Sequence, residues 1–168
     1  MADEFLQYVK QAQQGDAAAF SKLYAMIYKD MYKLAVYNLR SEQDAEDVIS
    51  DAVLDAFNSM RKLRDAEAFR GWMMRILTAK IKRKQAEYYK NETEISQAEN
   101  NLGEDFEFRT AELKEALYSL SDADRLMLSL SVLEGYTSEE IGKAVGKSAV
   151  NVRTRLSRMK EALRHQLA

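Results

Sequence analysis

Arginine side chains near the end of this chain are the residues best suited to binding chemistry. They lie in the segment 137–160, which reads TSEEIGKAVGKSAVNVRTRLSRMK. Apolar residues recur there at steps of three and four, which predicts a helix with one buried face and the arginines outside it. A guanidinium group can bind guanine through two hydrogen bonds or neutralise a phosphate, and the pattern alone does not separate these two roles.

The same segment has the start and stop signals of a helix-turn-helix. Thr137 and Glu140 have the spacing of a capping box, Gly146 can turn the chain, and Ser148 can cap a second helix. The second helix of such a motif enters the major groove, so the predicted partner is double-stranded DNA; the alternative is a hairpin with a solvated basic face. The predicted groove contacts are Arg153, Thr154, Ser157 and Arg158, and the predicted phosphate contacts are Lys147 and Arg155.

A row of carboxylates marks the helix predicted to begin near Gln43. Its members recur at steps of three or four and so share one stripe, with Leu54 beside it: Asp44, Asp47, Asp51 and Asp55. Like charges at this spacing destabilise an isolated helix by about 0.2–0.5 kcal/mol per pair. No lysine or arginine on the same helix offsets them. The row is either a solvated face or a docking surface for a basic protein. A metal site is the weaker alternative, since the only histidine, His165, lies far along the chain.

The helix predicted over 66–90 changes character along its length. Its first half carries aromatic and aliphatic residues at helical spacing, whereas Lys80, Arg83 and neighbouring lysines occupy its second half. We expect the first half to lie in a core and the second to be solvated or to meet an anionic partner. Tyr88 and Tyr89 either stack on exposed bases or pack loosely.

Composition indicates an all-α protein. The 168 residues include no proline, no cysteine and only six glycines, so helix breakers are rare and disulfides are excluded. We expect no signal peptide, no membrane insertion and a cytoplasmic location. The net charge of −2 conceals blocks of one sign. Six acids and no base fall within 91–108, whereas six bases and one acid fall within 147–168.

These patterns predict two small helical domains joined by a flexible acidic linker, the C-terminal one containing the helix-turn-helix. The predicted boundaries are 1–90, 91–108 for the linker, and 109–168. Helices are predicted over 4–14, 17–40, 43–60 and 66–90, and then over 110–119, 122–133, 138–145 and 149–166. The sequence has no cysteine, no pair of histidines and no glycine-rich phosphate loop. It therefore gives no indication of a cofactor, a metal site or an enzyme.

The chain resembles bacterial RNA polymerase sigma factors of the extracytoplasmic-function type over about 14–163. Three stretches carry the resemblance: DAEDVISDAVLDAF at 44–57, AFRGWMMRI at 68–76, and the stretch 120–163 that includes the helix-turn-helix. The last is the most specific, because residue types and spacing match over more than forty positions. The resemblance implies a transcription initiation factor that binds core polymerase and promoter DNA. The alternative is a helix-turn-helix regulator that does not engage polymerase.

The resemblance also implies roles for residues. The acidic helix would dock on the polymerase's largest subunit through Asp47, Asp51, Leu54 and Asp55. The minus-ten element would meet Leu63, Arg64, Asp65, Lys80, Arg83 and Lys84. The minus-thirty-five element would meet the helix-turn-helix residues given above. Many relatives are held inactive by an anti-sigma protein, so such a protein is a further candidate partner.

The chain departs from the family pattern near the predicted minus-ten surface. Ala79 stands where the family commonly has asparagine, Arg83 where it often has an acid or asparagine, and Ala66 where proline is frequent. We therefore expect an unusual minus-ten preference or weaker melting, with polymerase docking unaffected.

Overall fold

The computed structural model describes residues 2–90 and 111–167, which form helices joined by short turns. The predicted acidic linker, 91–108, lies outside the described residues. The N-terminal helices are α1 (Ala2–Gln13), α2 (Ala17–Asn38), α3 (Glu42–Ser59) and α4 (Phe69–Lys90). The C-terminal helices are α5 (Ala111–Tyr118), α6 (Asp122–Val132), α7 (Ser138–Val145) and α8 (Ala149–Leu167). The prediction of an all-α fold is confirmed.

Side-chain caps fix where several helices begin. The Asp16 carboxylate accepts a hydrogen bond from the Ala19 backbone N–H at the start of α2, and Ser41 does the same for Asp44 at the start of α3. The helix predicted from residue 66 is interrupted at its beginning. The Asp65 carboxylate accepts from the Glu67 backbone N–H, and Ala66–Ala68 form a 3₁₀ turn before α4 begins at Phe69.

The core of the N-terminal helices forms around α2, which packs against α1, α3 and α4. The largest side chains that it excludes from water are aliphatic or thioether groups, with Phe69 as the aromatic member. They come from three helices: Leu23, Met31, Leu34, Ile49, Met73, Leu77 and Ile81. Close packing of these groups fixes the angle between α3 and α4, and therefore the relation between the acidic row and the basic half of α4.

The helix-turn-helix is formed by α7 and α8, and two glycines shape its turn. Thr137 and Glu140 form the predicted capping box at the start of α7. Gly146 ends that helix with φ 76°, a left-handed conformation that favours glycine. Gly142 has a different role, because a Cβ atom there would lie 2.4 Å from the backbone carbonyl oxygen of Lys147. The chain can therefore fold back closely over α7 only because this position has no side chain.

The C-terminal helices pack directly on the N-terminal ones, with α6 against α2 and α7 against α4. At this seam the Asn38 amide donates to the Ser129 hydroxyl at 2.8 Å, and both side chains are buried. The Tyr136 hydroxyl donates to the Gly71 carbonyl at 3.4 Å. In this structure the apolar core is thus continuous across the two groups of helices.

Candidate protein- and nucleic-acid-binding surfaces

The acidic row on α3 is held at its two ends and open in its middle. At one end Asp44 is half-buried and accepts a hydrogen bond from the Tyr88 hydroxyl. At the other end Asp55 pairs with Lys80 of α4 at 2.7 Å. The lysine that this helix itself lacks is therefore supplied by its neighbour, and only part of the row faces solvent without a cation.

The middle of the row combines carboxylates with apolar surface. Asp47 and Asp51 are exposed, and Asp47 accepts a hydrogen bond from the Gln43 amide at 3.0 Å. Leu54 is 62% exposed between them and the end of the helix. Phe57 is also exposed and has its ring 5.1 Å from that of Phe20. Apolar side chains surrounded by charge are typical of a protein-docking surface rather than of a purely solvated face.

The basic half of α4 lies beside the acidic row. Lys84 is within 3.8 Å of Asp44 and 3.4 Å of Glu87, so it is shared between two carboxylates. Arg83 is exposed, and the Lys82 ammonium reaches the Val145 carbonyl of α7 at 3.5 Å. Lysines of α4 therefore lie beside carboxylates of α3, and the predicted docking surface adjoins the predicted minus-ten surface.

The loop before α4 divides its predicted contact residues between core and surface. Arg64 and Asp65 are exposed, whereas the Leu63 side chain is buried and its carbonyl accepts a hydrogen bond from the Gln13 amide at 2.8 Å. Leu63 therefore anchors the loop to the core beside α1. Ala79, where the family commonly has asparagine, lies exposed on α4.

Tyr88 is buried, so its ring is not available for stacking on a base, and it does not pack loosely. Its side chain is 5% exposed, its hydroxyl bonds to Asp44 and the Arg40 backbone N–H, and the Arg40 guanidinium lies 4.5 Å from its ring centre. Burial, together with the hydrogen bond to Asp44, raises the pKa of Tyr88. Of Tyr88 and Tyr89, it is Tyr89 that presents its ring to solvent, since it is 64% exposed.

The recognition helix α8 separates its predicted contacts into two flanks. Arg153 lies on one flank, where it pairs with Glu139 of α7 at 3.2 Å. Hydrogen bonds from the backbone and from Arg153 lower the pKa of Glu139. On the other flank Arg155 reaches Asp124 of α6 at 2.6 Å, close enough for an ion pair but without hydrogen-bond alignment. Arg155 therefore ties α8 to α6.

The remaining predicted residues of α8 face solvent. Thr154, Ser157 and Arg158 are exposed, and Lys147 is half-buried in the turn. Exposed Asn151, which the sequence reasoning missed, shares a shallow groove with Thr154 and Arg158. Its spacing from Thr154, three residues, was the available signal, since positions three apart lie on the same side of a helix.

A charged cluster at the seam was also absent from the sequence-based predictions. Arg70 bridges Asp30 at 2.5 Å and Glu134 at 3.0 Å, and so connects α2, α4 and the end of α6. The Glu134 side chain is only 1% exposed, and burial raises its pKa despite the nearby arginine. One carboxylate oxygen of Glu134 has no hydrogen-bond partner. The cluster holds the two groups of helices together while leaving one buried acceptor unsatisfied.

The structure also bears on metal binding and on membrane insertion. Across residues 2–90 and 111–167, the structure groups no three carboxylate or histidine side chains so that they could hold a metal ion. None of the helices in those ranges combines the length and the apolar character needed to cross a bilayer.

Two family comparisons match the two groups of helices. Residues 23–88 match sigma-70 region 2, and residues 110–163 match sigma-70 region 4. The first match contains the acidic row and α4, and the second contains the helix-turn-helix. Together they account for more than half of the chain.

Curated relatives and solved structures extend the similarity along the chain. The ECF RNA polymerase sigma factor SigW of Bacillus subtilis is 29% identical over 178 residues, covering 95% of this chain and 94% of the relative. The sigma factor SigV of the same organism is 25% identical, covering 83% and 85%. A structure of CnrH in complex with the cytosolic domain of CnrY has a TM-score of 0.72 at 21% identity, covering 98% and 97%. RpoE of Bartonella quintana, in complex with the anti-sigma factor NepR, has a TM-score of 0.70 at 17% identity, covering 88% and 96%.

Proposed function

This chain belongs to the sigma-70 family, as a member of the extracytoplasmic-function type, and we propose that its acidic row is the surface that binds core RNA polymerase. As a sigma factor with regions 2 and 4, it is a transcription initiation factor that directs polymerase to promoters. The observation that supports the proposed surface is the open middle of the row. There Asp47, Asp51 and the exposed Leu54 offer charge and apolar area together.

The docking site that we propose consists of Asp47, Asp51, Leu54 and Asp55. A basic partner surface would relieve the like-charge repulsion along α3, and Leu54 would be removed from water on contact. Asp55 would exchange its pairing with Lys80 for pairing with polymerase. A plain DNA-binding regulator has no need of such a row, so the row favours the initiation factor over that alternative.

The minus-ten surface that we propose joins the loop and the basic half of α4. Arg64 and Asp65 are exposed on the loop, Lys80, Arg83 and Lys84 lie along the helix, and Leu63 positions the loop from beneath. If Ala79 limits base recognition, Ala79→Asn will increase open-complex formation on a promoter of the family's ordinary type, as seen by permanganate footprinting. No increase would mean that another residue already performs that contact.

The minus-thirty-five surface that we propose is the exposed side of α8. Thr154, Ser157 and Arg158 are exposed and would face the major groove. Arg153, predicted above as a groove contact, pairs with Glu139, and we propose instead that it neutralises phosphates at the groove edges together with Lys147 and Arg155. We propose residues 1–90 and 109–168 as the two functional units, with 91–108 connecting them.

The remaining aspects of the proposed function follow from this role. The sigma family is not an enzyme family, and we propose that the chain contributes binding energy rather than an active site of its own. It would act in the cytoplasm, where the polymerase works. The two solved structures described above are complexes with a protein fragment or an anti-sigma factor. We propose that this chain has an anti-sigma partner as well.

Run-off transcription tests the proposed function. Purified core polymerase with and without the full chain would be offered a fragmented genomic library, and the transcript starts would be mapped. We expect a defined set of starts that requires the chain and that is lost with Asp51→Lys. Starts that are identical with and without the chain would contradict the initiation role. DNA binding without co-elution with polymerase on gel filtration would support the stand-alone regulator.

A further inference from the structure

A shallow groove along the recognition helix α8 brings together side chains that can read base edges. It runs over about two and a half turns of the helix, beginning at its N-terminal cap. The groove is lined by Ser148, Val150, Asn151, Thr154, Arg155 and Arg158. Recognition helices contact base edges mainly with their N-terminal residues, which places Asn151, in the first turn, best for reading sequence. Arg158 lies further along the groove, and side chains on a helix lean back toward its N-terminus.

Asn151 is the groove residue with the most informative side chain. It is exposed in the first turn of α8, where its backbone N–H donates to the Ser148 hydroxyl at 3.1 Å and so fixes that turn. Among the described residues, none forms a hydrogen bond with the Asn151 side-chain amide. Arg158 is also exposed, and it forms no ion pair with any of those residues. Arg153 and Arg155, by contrast, pair with Glu139 and Asp124.

The chemistry of these two open side chains distinguishes between bases. A carboxamide presents one acceptor and one donor, which match the adenine N6 amino group and N7. A guanidinium presents two donors, which match O6 and N7 of guanine. Asn151 and Arg158 are seven residues apart, a rise of about 10.5 Å along the helix. Successive base pairs are about 3.4 Å apart along the DNA axis, so that rise spans at most about three base pairs, the number for a helix parallel to the axis.

We propose that Asn151 reads an adenine in the upstream promoter element, and that Arg158 reads a guanine within about three base pairs of it. This inference rests on the proposed function, because it names the sequence that the minus-thirty-five surface selects. Thr154 lies between the two contacts and has too short a side chain to replace either one. Arg153 lies outside the groove and Arg155 lines it, and each is tied to a carboxylate, so we assign both to the DNA backbone rather than to base edges.

A selection experiment with the holoenzyme tests this inference. Core polymerase bound to the full chain would select from a pool of double-stranded promoter DNA with ten random upstream base pairs. Wild-type chain would be compared with Asn151→Ala and with Gln166→Ala. The second variant is the matched control, because it removes an exposed amide from the far end of the same helix.

We expect the wild type and the control to enrich an adenine and a guanine within about three base pairs of each other. Asn151→Ala should lose only the adenine preference, by between about fivefold and a hundredfold, while the guanine preference is kept. Replacing that adenine by 7-deazaadenine should weaken the wild type and leave Asn151→Ala unchanged, because N7 is then missing from the contact.

Two results would overturn the inference while leaving the proposed function intact. One is an Asn151→Ala profile identical to that of the wild type. The other is an equal loss on every sequence, which is the signature of a phosphate contact. If wild-type holoenzyme enriches no upstream sequence over core polymerase alone, the proposed function itself fails and this inference fails with it.

Discussion

The acidic row of α3 and the recognition helix α8 have similar charged surfaces but differ in their ion-pair partners. Each is a surface helix with charged side chains outside an apolar stripe, and in each some of these charges are paired with a neighbouring helix. On α3 the partners are Lys80 and Lys84 of α4. On α8 the partners are carboxylates of α6 and α7.

The two sets of ion-pair partners differ in whether they also belong to a proposed binding surface. Lys80 and Lys84 belong to the proposed minus-ten surface, so the polymerase-docking row and that DNA surface share ion pairs. Asp124 and Glu139, the partners on the C-terminal side, belong to no proposed binding surface. A change at the docking row should therefore be felt by the minus-ten surface, whereas α8 should act as a self-contained reader.

Charge reversal at the centre of the acidic row should have the largest effect. Asp51→Lys would place a cation against the basic partner surface, and like charges in contact across an interface cost several kcal/mol. We expect the affinity for core polymerase to fall by about 3 kcal/mol or more. Gel filtration and fluorescence titration with labelled core polymerase would measure the loss.

The matched control is Glu46→Lys, which makes the same change of charge on the same helix. Glu46 is exposed on the side of α3 near Tyr24 and Tyr28, away from the row. It should leave polymerase affinity close to that of the wild type. Equal losses in both variants would reduce the effect to overall charge, and an unaffected Asp51→Lys would remove the docking role from the row.

The turn that positions α8 should respond next most strongly. Gly142→Ala places a Cβ atom against the Lys147 carbonyl oxygen, and backbone cannot rotate away as a side chain can. We expect the free energy of unfolding to fall by about 3 kcal/mol, the upper part of the range for overpacking. Urea unfolding, with DNA binding measured in parallel, would test this.

Gly71→Ala is the control for that substitution. Gly71 lies inside α4, and a Cβ atom there would have nothing within 4 Å. Alanine is the better helix former, but Gly71 lies in the first turn of α4, so this variant should be at least as stable as the wild type. Destabilisation of similar size in both variants would mean that the close approach at Gly142 is not the cause.

Arginine truncations on α8 should separate reading from positioning. Arg158→Ala should cost about 1–3 kcal/mol on the preferred upstream element and little on unrelated DNA. Arg153→Ala should weaken all sequences about equally, because that arginine lies beside Glu139 at the edge of the helix. Holoenzyme binding to matched and scrambled promoters would measure both, with exposed Arg164→Ala as the control.

Local signals explain how much of this fold the sequence predicts. The capping box at Thr137, the cap at Ser148 and the turn at Gly146 are each set by residues within a few positions, and the structure has all three. The acidic row was visible for the same reason, since a periodicity of three or four is a property of one helix. Local chemistry therefore predicts where helices lie and which face of each is charged.

Contacts between helices account for what the sequence could not predict. Tyr88 was expected to stack on bases or pack loosely, but it is buried because Asp44 and Arg40 from other elements bond to it. The pairing of Asp55 with Lys80 and the bridging role of Arg70 likewise depend on the angle between α3, α4 and α6. Such pairings are set by core packing, which no periodicity along one helix records.

The smallest expected effect distinguishes the two helices most directly. A double-mutant cycle with Asp55→Asn and Lys80→Met should give a coupling energy below about 1 kcal/mol, because the Asp55 carboxylate is 55% exposed and screened by solvent even though Lys80 is only 16% exposed. The same cycle with Asp124→Asn and Arg155→Met should give a larger coupling that depends less on salt, since those side chains are 24% and 32% exposed. Urea unfolding at low and high salt would measure both.

A weak Asp55–Lys80 coupling is what the proposed exchange of partners requires. Lys80 can pass from Asp55 to a DNA phosphate, and Asp55 to polymerase, only if the pair costs little to separate. If the Asp55–Lys80 coupling proves the larger of the two, the end of the acidic row is a fixed structural pair. Docking would then rest on Asp47, Asp51 and Leu54 alone, and the minus-ten surface would be independent of polymerase binding.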